Sequence, residues 1–485
     1  MKYKIGLVGL PNVGKSSIFN LLNGKVKSTV ASFPYSTIQP IYSLVEFPNS
    51  KLDELEKLFL WLFRDSLYRE KLDKKYESFE FLDLAGIVPL DGELDKKKSD
   101  MGASFLSYIR AVDLIVIVIR TFSDESVESQ LNTFLEENPK MYNSLIVKSS
   151  LKEVEQEFKD KSIKFFKKSQ TSEEGEGIQL DLDSKIPLFY SEDKSFWTSL
   201  DLDKKDNKNI NIVESFHSFE PILELKLVLL TLIKSDLDLI IKLLAKYSKD
   251  RKTFSKEIVI LSNIKEELEL KKFIPISMLN YFLALSEEQK EIINKLNLLS
   301  SKKVVILGNY GSSKQSLSKL NELIEWTRKY NFPFSSINLE GEEIYNLLTQ
   351  EEEKKEMRQS IFLKNSSTEE FLNIIYKTLA LKTFYTFKLE DINNRKYNLS
   401  NFSHNIVPVR GEIRAWSFKN NSSLKECVSQ IHNELSNFFI AAHLIKIEDF
   451  IEQSIKGNSN LNIIKTNSKA YNLKGNEIVQ IISSA

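Results

Sequence analysis

The sequence has little of what builds disulfide-stabilised or membrane-spanning proteins. Its 485 residues include one cysteine, Cys427. A single cysteine excludes an internal disulfide framework and is typical of a reducing compartment. The longest strongly apolar runs, residues 114–119 and 227–233, are far too short to cross a bilayer. Met1 leads within a few residues into an apolar stretch, leaving no room for a targeting segment. We therefore expect a cytoplasmic protein that makes no membrane contact.

The chain also lacks net charge, because 67 Lys and Arg residues balance 67 Asp and Glu residues. Nothing global favours nucleic acid or an acidic membrane, so any such contact must come from a local patch. The length fits two or three domains, and 42% apolar with 28% charged residues is ordinary for a globular protein.

Strands and helices alternate in two parts of the chain. Residues 4–8, 79–82 and 114–119 read as buried strands, and so does 304–307, which a helix at about 313–329 follows. This alternation favours an α/β fold with a mostly parallel sheet. We assign residues 1–122 and 301–382 to this domain.

The remaining regions differ in pattern. Residues 123–215 carry basic, acidic and wholly polar runs, and we expect a partly disordered insertion. Residues 216–300 read as helical, with amphipathic stretches at 237–244 and 287–298. These two stretches form either an antiparallel, coiled-coil-like arm or helices that pack on the core. Residues 383–485 read as short strands around one helix, a small α+β module.

A phosphate-binding loop follows the first strand. Gly9-Leu-Pro-Asn-Val-Gly14-Lys15-Ser16 matches G-x-x-x-x-G-K-[ST] between a buried strand and a helical pattern. The glycines let backbone N–H groups wrap around a phosphate, and the lysine places an ammonium between the β- and γ-phosphates. Ser16 offers a hydroxyl to Mg²⁺. The nucleotide-binding residues predicted here are Gly9, Pro11, Asn12, Val13, Gly14, Lys15, Ser16 and Ser17.

Two further elements complete the phosphate side. Asp83-Leu-Ala-Gly86 ends an apolar strand, so Asp83 lies at the carboxyl edge of the sheet, where it can hold Mg²⁺. The Gly86 N–H can reach the γ-phosphate. Thr37 lies between the two motifs and can add its hydroxyl to Mg²⁺. The predicted metal ligands are therefore Ser16, Thr37 and Asp83.

Together these segments resemble the YchF / Obg-like ATPase family. The resemblance rests on the loop from Gly9, on Phe33-Pro-Tyr-Ser-Thr-Ile-Gln-Pro40 and on Phe81-Leu-Asp-Leu-Ala-Gly-Ile-Val88. It continues through residues 102–113 and the helical stretch 221–249. It resumes at Gly411-Glu-Ile-Arg-Ala-Trp416, which is similar to that family's C-terminal TGS domain. Residues 123–215 have no counterpart in the resemblance.

The resemblance implies a function. Members of this family bind and hydrolyse ATP, GTP or both, and they associate with ribosomes in translation and stress responses. Contact with the large ribosomal subunit or RNA is expected through the TGS domain and the helical arm. Ile87 occupies the position of a water-orienting glutamine, so hydrolysis should be slow. Asn12 matches a residue that helps hold K⁺ in related GTPases, which makes K⁺ a possible cofactor beside Mg²⁺. The predicted catalytic residues are Lys15, Gly86 and Asn12.

The base-reading positions depart from the GTPase pattern. Asn309 matches the asparagine of that pattern, whereas Ser312 stands where an acid should accept two hydrogen bonds from guanine. Tyr310 can stack on a purine, and Ser335 and Ser336 lie where the family has a base-contact loop. The main hypothesis is a slow ATPase or GTPase. A nucleotide-holding scaffold with little hydrolysis and a strict GTPase of ribosome assembly are the alternatives.

Overall fold

The computed structural model describes residues 3–25, 41–64, 72–84, 106–123, 220–271, 273–348, 350, 353, 367–403, 406–420, 422–431, 436–457 and 461–484. All of them lie in one compact unit made of Met1–Phe134 and Phe219–Ala485. Apart from residue 123, the predicted insertion lies outside the described residues, as do Thr37, Gly86 and Ile87.

The strands form two sheets. In chain order they are β1 (Lys4–Val8), β2 (Ile41–Glu46), β3 (Leu72–Lys75), β4 (Ser78–Asp83), β5 (Leu114–Arg120), β6 (Lys303–Asn309), β7 (Phe334–Ile337), β8 (Leu381–Asp391), β9 (Lys396–Tyr397), β10 (Pro408–Lys419), β11 (Phe439–Lys446), β12 (Ile464–Thr466) and β13 (Glu477–Ser483). The helices are α1 (Lys15–Lys25), α2 (Ser50–Leu62), α3 (Pro221–Tyr247), α4 (Ser255–Lys271), α5 (Asn280–Ala284), α6 (Glu287–Lys295), α7 (Lys314–Lys329), α8 (Leu339–Leu347), α9 (Ser367–Thr378), α10 (Leu424–Ile431) and α11 (Ile447–Ile455).

The first sheet has the order β2-β4-β1-β5-β6-β7. Every neighbouring pair is parallel except β2 with β4, which confirms the predicted, mostly parallel α/β fold. All seven residues of β5 are buried, as expected for a strand covered on both faces. The carboxyl ends of β1, β4, β5 and β6 therefore meet along one edge, where ligands of such sheets bind.

The arm is a hairpin of α3 and α4, not of the two stretches that the sequence suggested. Its core joins Ile240 of α3 to Ile260, Leu261 and Ile264 of α4. The second predicted stretch, residues 287–298, forms α6, which packs against the same cluster. The sequence did not single out α4 as a helix of the arm, because its apolar residues do not all lie on one face. Val259 and Leu270, for example, are 58% and 77% exposed.

Two buried polar contacts fix the base of the arm. Asp236 of α3 accepts hydrogen bonds from the backbone N–H groups of Leu299 (2.9 Å) and Ser300 (2.7 Å), just before β6. Arg120, at the end of β5, pairs with Glu224 in the first turn of α3, with an Nη2–Oε1 distance of 2.8 Å. These contacts attach α3 to the end of β5 and to the segment that precedes β6.

The second sheet has the order β12-β11-β13-β8-β10-β3, with β9 paired to β8. Its edge strand β3 comes from the N-terminal region and runs parallel to β10, with Leu72 opposite Gly411. Helix α2 also packs here, because Leu52, Leu55 and Phe59 share a core with Phe387 and Phe450. The predicted division at residues 122 and 383 is therefore too simple, since α2 and β3 belong to the C-terminal sheet.

The helices show no membrane span. Within the ranges given above, none combines the length and the apolar character needed to cross a bilayer.

Candidate functional site

The loop after β1 is held in a conformation that its residue types favour. Asn12 and Gly14 have positive φ angles of 59° and 96°. Asparagine and glycine are the residues that most readily adopt this region. A Cβ on Gly14 would lie 2.5 Å from Asn309 Nδ2, and one on Gly9 would lie 2.5 Å from the Val118 carbonyl oxygen. Close packing thus requires a glycine at both positions, and at Gly14 the positive φ is a second requirement.

Lys15, the first residue of α1, is buried, with 6% of its surface exposed. Its Nζ donates to the carbonyl oxygens of Leu10 (2.7 Å) and Gly9 (3.3 Å). Burial lowers the Lys15 pKa to about 8, and the charge of Asp83 opposes that shift. The ammonium is therefore held inside the loop by neutral carbonyl groups, which do not compensate its charge as an anion would.

Asp83 ends β4 and lies level with Leu7 of β1. Its Oδ1 is buried and has no hydrogen-bond partner among the described residues. Ser16, in the first turn of α1, exposes its side chain. A buried carboxylate oxygen and an exposed hydroxyl match the oxygen ligands that Mg²⁺ prefers, with water completing the shell. The described part of the chain contains no group of three or more His, Cys, Asp or Glu side chains suited to a metal.

The remaining loop residues surround this centre. Val13 is buried, Pro11 is half-buried, and Asn12 and Ser17 are exposed. The Gly14 carbonyl accepts the first helical hydrogen bond, from Ile18 N–H at 2.9 Å. Backbone N–H groups at the start of α1 are thereby left for an anion.

On the base side, Asn309 lies at the end of β6 and is buried. Its Nδ2 donates to the Val13 carbonyl at 3.1 Å. The Asn309 amide, which the sequence suggested as a contact to the base, thus also supports the phosphate loop. No sequence pattern indicates that second contact. Tyr310 follows it, half-buried, and its N–H donates to the Ile337 carbonyl at 3.0 Å.

Hydrogen bonds to the Ser316 side chain hold the loop that follows Tyr310. Gly311 N–H donates to Ser316 Oγ at 2.8 Å, and that hydroxyl lies 3.0 Å from Thr121 Oγ1. Ser312 is exposed at the position where guanine-specific proteins carry an acid. A serine has no carboxylate with which to hold guanine by two hydrogen bonds.

Ser335 and Ser336 were expected in a base-contact loop, but they lie within β7, opposite Leu307 and Gly308. Ser335 is buried, with 5% exposed. The β-branched and aromatic neighbours Phe334 and Ile337 extend the strand through both serines. The loop that follows this strand therefore begins at Asn338, after both serines.

Sequence reasoning missed Asn338 and Leu339. Asn338 caps α8 by accepting from the Gly341 N–H at 2.8 Å. Leu339 Cδ1 lies 3.0 Å from the point where a Gly14 side chain would begin. The available signal was an N-cap residue ahead of an acidic first turn containing Glu340 and Glu342.

A strand, a glycine loop, a helix starting with a buried lysine, and an aspartate on the neighbouring parallel strand define the P-loop nucleoside triphosphatase class. The model of the 50S ribosome-binding GTPase family matches residues 4–148. The model of the YchF GTPase C-terminal domain, described as a protein of unknown function, matches residues 408–483.

Curated relatives match over nearly the whole chain. The ribosome-binding ATPase YchF of Buchnera aphidicola subsp. Schizaphis graminum is 26% identical over 452 residues, covering 93% of this chain and 91% of that protein. The protein of that name from Bacillus subtilis is 23% identical over 490 residues, covering 99% and 98%. The latter alignment also runs across residues 123–215, for which no counterpart was expected.

A solved structure shares the fold. The YchF GTPase of Schizosaccharomyces pombe superposes with a TM-score of 0.59 at 19% identity, covering 99% of this chain and 98% of that one. The two family models and these relatives make the chain similar to YchF proteins along nearly its whole length.

Proposed function

We propose that the chain binds a nucleoside triphosphate with Mg²⁺ at the loop Gly9–Ser17, hydrolyses it slowly, and associates with ribosomes. The observation that carries this proposal is the buried Lys15 ammonium, whose hydrogen bonds to described residues go to the neutral carbonyls of Gly9 and Leu10. A triphosphate supplies the missing negative charge, and the start of α1 adds N–H donors to it.

Ser16 and Asp83 are the described residues that would hold Mg²⁺, with Thr37 as the third predicted ligand. The buried, unpartnered Asp83 Oδ1 supports this assignment. When bound, Mg²⁺ neutralises charge on the β- and γ-phosphates. Lys15 binds and orients the same phosphates, and the predicted Gly86 N–H stabilises the γ-phosphate from the other side.

Asn12 is proposed to help hold K⁺ beside the phosphates, where a positive charge stabilises the transition state. Its exposed side chain and positive φ are compatible with that role. Turnover that is equal in KCl and NaCl would contradict the potassium proposal.

We propose that the base site favours neither purine strongly. The exposed Ser312 and the use of the Asn309 amide on Val13 support a weak preference between ATP and GTP. Tyr310 is the residue proposed to stack on the base, while the buried Ser335 is less available than Ser336. A titration with labelled ATP and GTP measures this preference directly, and a hundredfold preference for GTP would refute the proposal.

The ribosome as partner rests on relatives that are named ribosome-binding ATPases. Residues 383–485 carry 12 Lys and Arg against 9 Asp and Glu, a weak basic excess of +3. Co-sedimentation with purified ribosomes tests the association, and it should depend on the nucleotide supplied.

Lys15→Ala tests the site itself. We expect the variant to lose ATP and GTP binding, since it removes the ammonium that contacts the phosphates. Lys314→Ala is the matched control, because Lys314 also starts a helix after a buried strand of the same sheet but is exposed. Equal nucleotide binding by Lys15→Ala and the wild type would refute the assignment, and hydrolysis measured in parallel separates an enzyme from a nucleotide-holding scaffold.

A further inference from the structure

The first turn of α7 places a buried serine behind the loop that follows β6. We call residues 309–312 the base loop, because the proposed contacts to the base lie there. Ser316 belongs to the first turn of α7 and is fully buried. Helical side chains tilt toward the N-terminus of their helix, so its hydroxyl points back at the base loop. It accepts from Gly311 N–H at 2.8 Å and lies 3.0 Å from the hydroxyl of Thr121, which is also fully buried.

The backbone of Ser316 takes part in the cap of the same helix. Its N–H donates to Oγ of Ser313, the N-cap residue, at 3.1 Å. In a capping box, the residue at this position is Glu or Gln, and its side chain returns to the N-cap N–H. Here the hydroxyl of Ser316 reaches past the N-cap to Gly311 instead. Ser316 therefore joins the start of α7 to the base loop.

The base loop is held at each of its first three residues, but by different groups. The Asn309 carbonyl accepts from Thr121 N–H at 2.8 Å, and Tyr310 N–H donates to the Ile337 carbonyl at 3.0 Å. Both of these bonds join backbone groups, so they do not depend on the identity of a side chain. Gly311 N–H is held by the hydroxyl of Ser316. The conformation of the loop beyond Tyr310 therefore depends on which residue occupies position 316.

We infer that Ser316 is a positioning residue for the base: it holds the base loop so that Tyr310 lies against the purine ring. The inference rests on the proposed function, in which the loop contacts the base. Ser312 offers no carboxylate to the base, and the Asn309 amide already donates to Val13. Affinity for the base then comes from ring contact and backbone groups. A loop that is ordered beforehand loses less conformational entropy when it makes such contacts.

The test separates binding of the base from binding of the phosphates. Affinities of the full chain for ATP, GTP and inorganic tripolyphosphate are measured by titration calorimetry with Mg²⁺ present. Tripolyphosphate carries the phosphates without a base, so the ratio of the ATP and tripolyphosphate affinities reports the contribution of the base. A loss of folded protein alone lowers both affinities equally and leaves this ratio unchanged.

Ser316→Ala removes the hydroxyl, and Ser300→Ala is the matched control. Ser300 is also buried, and its hydroxyl donates to Asp236 Oδ2 at 2.7 Å, at the base of the arm. We expect Ser316→Ala to bind ATP and GTP about tenfold more weakly, the effect of losing one buried hydrogen bond, with tripolyphosphate binding unchanged. Ser300→Ala should keep the wild-type ratio.

Two results would overturn the inference. One is a Ser316→Ala variant with the wild-type ratio of ATP to tripolyphosphate affinity, which would make Ser316 a purely structural residue. The other is a wild type that binds tripolyphosphate as tightly as ATP, because the base would then contribute nothing for Ser316 to position.

Ser316→Cys carries the test if Ser316→Ala does not fold. The thiol is close to the hydroxyl in shape, but sulfur is a weak acceptor for Gly311 N–H. The ratio of ATP to tripolyphosphate affinity should therefore fall by roughly threefold. A folded Ser316→Cys variant with an unchanged ratio contradicts the inference in the same way. Thermal melts establish which variants are folded.

The same measurements keep this inference distinct from the proposed function. A wild type that binds neither ATP nor tripolyphosphate refutes the nucleotide site itself. A wild type that prefers ATP to tripolyphosphate, together with a Ser316→Ala variant of the same preference, refutes the role of Ser316 alone.

Discussion

Lys15 and Arg120 are both buried cations near the carboxyl edge of the first sheet, but they differ in their partners. Among the described residues Lys15 donates to the carbonyl oxygens of Gly9 and Leu10 alone, and burial lowers its pKa to about 8. Arg120 is fully buried and donates from Nε (3.1 Å) and Nη2 (2.8 Å) to Glu224. Lys15 has no carboxylate among its described hydrogen-bond partners, whereas Arg120 is paired with the Glu224 carboxylate.

This difference separates a binding site from a structural support. A buried charge without an anion destabilises the empty protein, and an anionic ligand relieves that cost. A charge paired with a buried carboxylate needs no ligand, and this pair links β5 to α3. Asp236 is of the second kind, since its Oδ1 lies 3.4 Å from Arg110 Nη1 and its carboxylate also accepts from Leu299 N–H, Ser300 N–H and the Ser300 hydroxyl.

The largest expected effect comes from breaking the structural pair. Glu224→Gln leaves the Arg120 charge buried without a compensating anion, which costs about 3–5 kcal/mol of unfolding free energy. Urea denaturation measures this loss. Glu220→Gln is the control, because Glu220 lies one turn earlier and meets Lys319 at 3.2 Å while 42% exposed. A surface pair of that kind contributes less than about 1 kcal/mol.

Comparable losses for the two glutamate variants would remove the distinction between a built-in pair and a surface pair. Replacing both partners sharpens the test. Arg120→Met combined with Glu224→Leu should recover a large part of the stability lost in Glu224→Gln, since no charge is left buried.

A middle-sized effect is expected from Gly14→Ala. The new Cβ would lie 2.5 Å from Asn309 Nδ2 at a φ of +96°, so the loop must shift. We expect a loss of about 1–3 kcal/mol in stability together with weaker ATP binding. Gly24→Ala is the control, because nothing lies within 4 Å of its added Cβ in α1. That exposed helical position should gain up to about 1 kcal/mol, and thermal melts with and without ATP measure both variants.

The smallest effect is a pH dependence carried by Lys15. Its pKa is lowered to about 8 in the folded chain, so the unfolded chain binds more protons between about pH 8 and the ordinary lysine pKa of 10.5. The contribution of Lys15 to stability therefore rises with pH in that window. Relative to Lys15→Met, the nucleotide-free wild type should gain about 1 kcal/mol between pH 8 and pH 9.

Urea denaturation of both proteins at pH 7, 8 and 9 measures that difference, and groups common to both cancel. A gap that stays constant across these values would show that the Lys15 ammonium is compensated within the empty protein. Nucleotide binding should show the opposite trend and weaken above about pH 8, because the charged form of Lys15 is the one that binds phosphate.

The phosphate side was predictable because its signal is local. β1 has the bounds expected from its apolar run, Lys15 and Ser16 begin the helix that follows the loop, and Asp83 ends its strand. The base side depends on contacts between segments far apart in the chain. Asn309 donates to Val13, 296 residues away, and neither position has a pattern that shows the pairing.

The placement of α2 was also beyond the sequence. Its apolar face identifies it as a helix with one buried side, but periodicity does not say which sheet buries that side. Asn49 caps α2 by accepting from Leu52 N–H at 3.0 Å, and the same oxygen accepts from the Tyr385 hydroxyl at 3.0 Å. The two residues of that second contact are 336 positions apart in the sequence, so no local pattern predicts it.

Because β3 pairs with the C-terminal sheet and α2 packs on it, these N-terminal elements cannot complete their contacts until the C-terminal region has been synthesised. The apolar face of α2 leaves the ribosome early, whereas its partners follow more than 300 residues later, as the 337-residue separation of Lys75 and Glu412 illustrates. At translation speeds of about 5–20 residues per second, that wait is roughly 17–67 s. The nascent protein therefore carries an uncovered hydrophobic surface for most of its synthesis.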